Sequence, residues 1–108
     1  FFKLGMGEDY IKADYEKRKL AKTWIKGIGV STVWAEDFGW YETALLDDIG
    51  AHPVERYDEE EQAILGHKKW IIFAQKIKKD TKVIALGDEG QYGIKDKKII
   101  LIPRKVVD

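Results

Sequence analysis

The segment from Asp58 to Lys79 constrains the fold more than any other part of the chain, because it has the signals of one long helix. Asp58 is a typical helix-capping residue, and Glu61, three positions later, completes a capping box. Acidic residues fill the predicted first turn and lysines fill the last, which complements the helix dipole. The segment therefore predicts a helix of about six turns.

This helix is amphipathic and needs a surface to pack against. Helical spacing puts one stripe of residues on the same side: Ala63, His67, Trp70, Ala74 and Ile77. A stripe of this length is stable only when it packs on another layer of structure. The same spacing turns the imidazole of His67 toward that layer, and the neighbouring Gly66 allows another part of the chain to come close.

The rest of the chain supplies strands for that layer. Residues 20–25, 30–34 and 40–47 are rich in β-branched and aromatic side chains, and 26–29 suits a turn between the first two. Further strands are predicted at 54–57, 82–86 and 98–102, loops at 36–39 and 49–53, and a short helix over 9–17. The pattern predicts an α+β fold: an antiparallel β-sheet, made of a meander plus C-terminal strands, with one long helix packed across a face and a short N-terminal helix.

Length and composition exclude several other classes of protein. The chain has 108 residues and no internal repeat, so we expect a single α+β domain over 1–108. It has no cysteine, which excludes disulfides and thiolate metal sites. No apolar run approaches the length of about 18 residues that a membrane-spanning helix needs, and the first residues lack the regions of a signal peptide. Since the chain opens on Phe1, we expect an initiator Met or a leader to be missing from it.

The net charge of zero conceals a strong asymmetry. Residues 1–61 hold 8 Lys and Arg against 14 Asp and Glu, a charge of −6, and residues 62–108 hold 11 against 5, a charge of +6. Within the first half, residues 36–61 hold ten acids and one base, a charge of −9. Acidic residues at helix starts and basic residues at helix ends account for part of this charge asymmetry. The separation of charge could also orient a partner protein or a second copy of the chain in a homodimer. The acidic segment could also imitate phosphate charge in a DNA-binding groove of a host protein.

One set of motifs resembles a family of small, uncharacterised bacteriophage and prophage proteins. The motifs are Val30-Ser31-Thr32-Val33-Trp34, then Glu42-Thr43, then Glu55-Arg56-Tyr57, and finally Ala63-Ile64-Leu65-Gly66-His67. The resemblance covers roughly residues 20–74, about half the chain. It implies a phage or prophage gene expressed in the host bacterial cytoplasm, and it supplies no catalytic residues.

His67 is the first candidate for a functional side chain. On the apolar stripe it could bind a ligand or transfer a proton. The alternative is a buried structural histidine bonded to a backbone carbonyl or to a strand carboxylate such as Glu42, because buried polar groups normally find a partner.

The sequence offers no metal centre and no activated nucleophile. The chain has only two histidines, His52 and His67, without zinc-type spacing. A loop cluster of Asp47, Asp48 and His52 is equally well explained by turn chemistry. The only serine, Ser31, is predicted in the middle of a strand, outside any Gly-x-Ser-x-Gly motif. We therefore expect no metal, no cofactor and no catalytic residue.

Aromatic residues are the remaining candidates for binding a ligand or a partner. Trp40 and Tyr41 are adjacent in a predicted strand, so they point to opposite faces and one of them is expected to be exposed. Together with His67, the candidate site comprises Trp34, Trp40, Tyr41, Tyr57 and Trp70.

These observations lead to one main hypothesis and two alternatives. The main hypothesis is a non-enzymatic phage accessory protein that binds a host or defence-system protein or a small signalling ligand. The alternatives are a minor virion or assembly component, and a small enzyme that uses His67 with a nearby carboxylate. No membrane partner is expected, and nucleic acid is an unfavourable partner for a chain of zero net charge.

Overall fold

The computed structural model describes residues 15–78, 80–87 and 96–105. Four strands form an antiparallel sheet in the order β1-β2-β3-β4, and one long helix packs across a face of it. Two further strands pair into a separate antiparallel sheet beside β4. The elements are α1 (15–18), β1 (Lys19–Ile25), β2 (Ile28–Ala35), β3 (Trp40–Leu46), β4 (Ala51–Tyr57), α2 (Glu60–Gln75), β5 (Lys82–Leu86) and β6 (Asp96–Ile100). The predicted α+β class is confirmed.

The register of the strands arranges the face under α2 in rows. Trp34, Tyr41 and Tyr57 lie opposite one another across β2, β3 and β4 and form an aromatic row. Next to it, Thr32 and Thr43 form a polar row, with Glu55 opposite Thr43. Aliphatic residues follow, and the buried core is made of Ile28, Val30, Leu45, Val54, Ala74, Val83 and Leu101. Polar side chains therefore interrupt an otherwise apolar face.

The long helix is shorter than the sequence predicted. It begins after Glu59, whose capping box is completed by Gln62, with Glu59 N donating to Gln62 Oε1 at 3.2 Å. The prediction that Asp58 and Glu61 form the cap is wrong by one residue. At the other end the helix stops at Gln75, where the N–H of Lys76 donates to the carbonyl of Phe73 at 3.0 Å, three residues back, instead of continuing the helical pattern. The Thr81 hydroxyl then closes a separate turn by accepting from the N–H of Lys78 and donating to its carbonyl. Of the lysines predicted for the last helical turn, Lys76 and Lys78 follow the helix, and Lys79 lies outside the described residues.

Two loop predictions need similar correction. The turn between β1 and β2 uses only Lys26 and Gly27, which both have positive φ (49° and 85°), as a two-residue hairpin requires. Ile28 therefore already belongs to β2. Residues 51–53, predicted in a loop, begin β4, and Pro53 is accommodated beside a register irregularity on this edge strand, where no ladder N–H is needed.

A buried aspartate fastens the C-terminal segment to the main sheet. Asp47 has no exposed surface, and its Oδ2 accepts a hydrogen bond from the N–H of Ile102 at 2.9 Å. Two residues further on, the N–H of Arg104 donates to the carbonyl of Gly27 at 2.8 Å. A Cβ at Gly27 would collide with the backbone of Arg104, so this approach requires glycine.

The described part of the chain contains no helix long and apolar enough to cross a membrane. Of the short helix predicted over 9–17, positions up to 14 lie outside the described residues, and 15–18 are helical.

Candidate functional site

His67 is buried between α2 and the polar row of the sheet, with 5% of its surface exposed. Its Nδ1 lies 2.7 Å from the hydroxyl of Thr32, and its Nε2 lies 3.2 Å from the hydroxyl of Thr23. The partner proposed from sequence, Glu42, is wrong: Glu42 accepts a hydrogen bond from Arg56 Nε at 2.9 Å. Strand alternation explains this, because Glu42 and Thr43 point to opposite faces and only Thr43 faces the helix.

The hydrogen bonds continue from His67 along the polar row. Thr32 Oγ1 lies 2.6 Å from Thr43 Oγ1, which lies 3.0 Å from the hydroxyl of Tyr57. The Tyr57 hydroxyl donates to Glu55 Oε1 at 2.8 Å. One continuous polar network therefore crosses β1, β2, β3 and β4.

Two residues of α2 close the network at its carboxylate end. The indole N–H of Trp70 donates to Glu55 Oε1 at 2.9 Å, and Lys69 Nζ lies 2.7 Å from Oε2. Three donors from two elements thus converge on the single carboxylate of Glu55, which offsets the cost of its partial burial.

The carboxylate fixes the direction of every proton in this network. Glu55 only accepts, so the single proton of the Tyr57 hydroxyl is directed to it. The Tyr57 oxygen then accepts from Thr43, Thr43 accepts from Thr32, and Thr32 accepts from His67. Nδ1 of His67 therefore carries a proton, and in the neutral ring Nε2 accepts from Thr23.

The ionisation of the network agrees with this assignment. Burial lowers the pKa of His67 below its usual 6.5, which favours the neutral ring. Burial also raises the pKa of Tyr57 above its usual range, and the adjacent Glu55 carboxylate reinforces this. Burial alone would raise the pKa of Glu55, but the hydrogen bonds from Lys69, Trp70 and Tyr57 outweigh it and the pKa is lowered. The network therefore has the charged carboxylate of Glu55 at one end and the neutral imidazole of His67 at the other.

Gly66 has a specific role in seating the network. A Cβ at this position would lie closer than 3.0 Å to the hydroxyl, Cζ and Cε1 atoms of Tyr57. The glycine therefore lets the phenol lie against the helix backbone. Tyr57, Gly66, His67 and both threonines of the polar row all belong to the motifs that carry the resemblance described above, so this pattern encodes how the helix and the sheet fit together.

This network is better suited to architecture than to chemistry on a substrate. His67 contacts the hydroxyls of Thr32 and Thr23, and three hydroxyl groups, those of Thr32, Thr43 and Tyr57, separate it from the carboxylate of Glu55. A general base must come within hydrogen-bonding distance of the proton it removes, which requires access to a substrate. His67 lines none of the clefts described below.

The loop cluster at Asp47 is also structural. Its Oδ1 accepts hydrogen bonds from the N–H groups of Ile49 and Gly50, at 2.9 and 3.0 Å, and lies 3.0 Å from Nε2 of His52. Burial would raise the pKa of Asp47, but these bonds and the one from Ile102 lower it. Asp48 is exposed. Among the described residues, no group of three or more His, Asp or Glu side chains is placed to bind a metal.

Trp34 and Tyr41 form the floor of an open cleft at the end of the sheet. Their ring centroids are 4.7 Å apart and their planes are tilted by 56°. The helix begins only at Glu60, so both rings are left half-buried. The cleft has a volume of about 360 Å³ and is lined by Lys17, Arg18, Lys19, Leu20, Trp34, Glu36, Tyr41 and Glu60.

Trp40 lies on the opposite face of the sheet from Tyr41. Its ring stacks on Phe38 with centroids 4.9 Å apart and planes within 7°, and the guanidinium carbon of Arg56 lies 4.6 Å from its centroid. Phe38 is 64% exposed. The indole N–H of Trp40 is buried and has no hydrogen-bond acceptor among the described residues. Clefts of about 350 and 260 Å³ also open on this face.

The six candidate residues therefore separate into three places: His67, Tyr57 and Trp70 in the network, Trp34 and Tyr41 in the cleft, and Trp40 behind the sheet. Sequence reasoning missed Thr32, Thr43 and Glu55, although alternation already placed Thr32 on the same face as Trp34.

No protein-family model, no curated protein and no solved structure matches this chain.

Proposed function

We propose that this chain is a non-enzymatic binding protein, encoded by a phage or prophage, that holds a small aromatic ligand in the cleft over Trp34 and Tyr41. The observation that carries the proposal is the aromatic floor, which the described residues cover only in part, since apolar rings at the end of a buried face are otherwise covered by the packing layer. The two rings at 56° make a V-shaped surface suited to one flat ring system.

The size and polarity of the cleft define the kind of ligand. A volume of about 360 Å³ is at the lower end of the range for small-molecule sites, which suits one heteroaromatic ring with its substituents. Three cations, Lys17, Arg18 and Lys19, face two carboxylates, Glu36 and Glu60, so the formal charge of the lining is +1. This balance favours a polar ligand with an anionic group over a cationic one.

The positions of the cations favour the same class of ligand. Arg18 donates to the backbone carbonyl of Trp34 at 3.3 Å, which holds its guanidinium at the aromatic floor. Lys19 forms an ion pair with Glu16 at 2.7 Å, and the hydrogen bond with this carboxylate raises the pKa of the lysine. A nucleoside monophosphate has the matching combination of a stacking base and an anion.

Calorimetry and tryptophan fluorescence with AMP, GMP and the matching nucleosides would test the proposal. We expect a nucleotide to bind, and we expect Trp34→Ala to weaken binding by roughly 5- to 150-fold, since stacking of a base on an aromatic ring is worth about 1–3 kcal/mol. Trp24→Ala is the matched control: Trp24 is 44% exposed and lies outside the lining of this cleft. If neither nucleotides nor nucleosides bind, or if both variants lose binding equally, the proposal fails.

A second candidate function is docking of a host protein, and the stack on the opposite face favours it. Phe38, Trp40 and Arg56 form a continuous stack, and aromatic and arginine side chains of this kind dominate binding at protein interfaces. A pull-down from bacterial lysate that loses its partner with Phe38→Ala, but keeps it with Ile49→Ala, would support this function. Ile49 is a suitable control because it is equally exposed, at 67%, in a different turn.

A further inference from the structure

We propose that two copies of this chain associate through an acidic surface on α2 and a basic surface on the β5–β6 sheet. The inference is independent of the cleft, and it uses the charge asymmetry of the sequence, which the cleft leaves unexplained. Both surfaces combine charge with exposed aliphatic side chains, and they carry opposite charge on the same molecule.

The acidic helix surface consists of Glu61, Ile64 and Leu65 near the start of α2, and the exposed Asp58 precedes the helix in the chain. The exposed Lys68 follows one turn after Ile64 and marks the end of this surface. Glu61 and Leu65 are four residues apart and therefore neighbours on one side of the helix. Leu65 is 66% exposed and Ile64 is 41% exposed. Large aliphatic side chains at successive exposed positions, next to carboxylates, are more typical of an interface than of a solvated helix.

The basic sheet surface consists of Lys82, Ile84, Lys98 and Ile100. The strands pair Lys82 with Ile100 and Ile84 with Lys98, so lysine and isoleucine alternate in a two-by-two pattern. Ile84 is 55% exposed and Ile100 is 48% exposed. Val83, which lies between Lys82 and Ile84 in β5, points inward and belongs to the core. The alternating pattern is therefore confined to the outer face of the β5–β6 sheet.

The two surfaces match in spacing as well as in charge. Glu61 and Leu65 are separated by about 6 Å along the helix axis. Lys98 and Ile100 are separated by about 7 Å along their strand. An acid facing a base thus also brings an aliphatic side chain onto an aliphatic side chain.

A second copy is the occupant that this arrangement favours. Each chain carries both surfaces, so a second copy offers to each of them the surface of opposite charge. In a twofold arrangement that forms both contacts, the aliphatic groups of both copies are covered. The net charge of zero removes the long-range repulsion that would oppose such an association.

Sedimentation equilibrium of the whole chain, from about 1 to 500 µM, would test the inference. We expect a monomer–dimer equilibrium, weakened at least roughly tenfold by Glu61→Lys and by Lys98→Glu, because each change places like charges face to face. The combined variant Glu61→Lys with Lys98→Glu exchanges the charges and should regain most of the association. Leu65→Glu should abolish it, whereas Ile49→Glu, at an equally exposed aliphatic residue outside both surfaces, should leave it unchanged.

Circular dichroism verifies that each variant is folded. A monomer at every concentration would overturn the inference. So would a dimer that is insensitive to Glu61→Lys, Lys98→Glu and Leu65→Glu, or a combined variant that associates no better than the weaker single variant.

Discussion

Replacing Gly66 by alanine tests the fit between the helix and the sheet. In the interior of an ordinary helix this change is stabilising by about 1 kcal/mol, because glycine is a poor helix former. Here the new Cβ would lie closer than 3.0 Å to three atoms of the Tyr57 phenol. The phenol has little freedom to move, since its hydroxyl is bonded to Glu55 and contacts Thr43.

The expected magnitude follows from the contacts that the phenol would lose. A hydrogen bond to a charged group contributes about 1.5–3 kcal/mol and one between neutral groups about 0.5–1.5 kcal/mol, so displacing Tyr57 costs about 2–4.5 kcal/mol. After subtraction of the gain in helix propensity, Gly66→Ala should lower the free energy of unfolding by about 1–3.5 kcal/mol.

Urea denaturation followed by circular dichroism measures this free energy, and a second background makes the test specific. Tyr57→Leu removes the three clashing atoms and both hydrogen bonds, so in that background Gly66→Ala should be stabilising by up to about 1 kcal/mol. A change of sign between the two backgrounds is therefore expected. A neutral or stabilising Gly66→Ala in the original chain, or equal effects in both backgrounds, would refute the proposed seating of Tyr57.

Three further predictions concern the buried polar groups. Thr32→Val leaves His67 Nδ1–H without its acceptor and should cost about 1–3 kcal/mol in urea denaturation, whereas Thr32→Ser keeps the hydroxyl and should cost less; equal costs would contradict the network. Asp47→Asn removes a charged acceptor of three backbone N–H groups and should cost about 2–4 kcal/mol, against less than about 0.5 kcal/mol for the exposed Asp48→Asn. Burial lowers the pKa of His67, so as the pH falls the unfolded chain binds a proton on this ring before the folded chain does. The contribution of the neutral His67 ring to the free energy of unfolding is therefore complete above about pH 6.5 and is lost as pH falls below it. An NMR titration of His67 should have its midpoint below 6.5, and a midpoint above 6.5 would contradict its burial.

The periodicity of the sequence predicts the strands and the long helix, but not the residues at which they begin and end. The strands and the helix were found because alternation and the 3.6-residue spacing extend over many residues. The helix ends depend on single contacts, such as Gln62 with the backbone of Glu59 and the N–H of Lys76 with the carbonyl of Phe73. Several residues near each end are equally good caps by composition, so sequence alone could not choose among them.

The site, like the fold, has features that follow from local sequence spacing and features that depend on how the strands pair. The inward direction of His67 followed from helical spacing, and that prediction required no knowledge of the sheet. Its partners depended on the register of β2 against β3, which sets Thr32 opposite Thr43 and moves Glu42 to the other face. One residue of slip would have exchanged Glu42 and Thr43, and the turn over 36–39 depends on a single residue, Gly39 with a φ of 74°, to fix the register.

The cleft and the network have a common physical origin in the short connection between β4 and α2. Only Asp58 and Glu59 separate Tyr57, at the end of β4, from Glu60, at the start of α2. The chain must therefore reverse at once, and the helix runs back over the polar row with Gly66 against Tyr57. A helix that begins at Glu60 reaches only the edge of this end of the sheet, so α2 leaves Trp34 and Tyr41 half-buried. The cleft proposed to bind a ligand is then a direct consequence of the contacts that fix the helix, and a longer connection after Tyr57 would allow α2 to cover it.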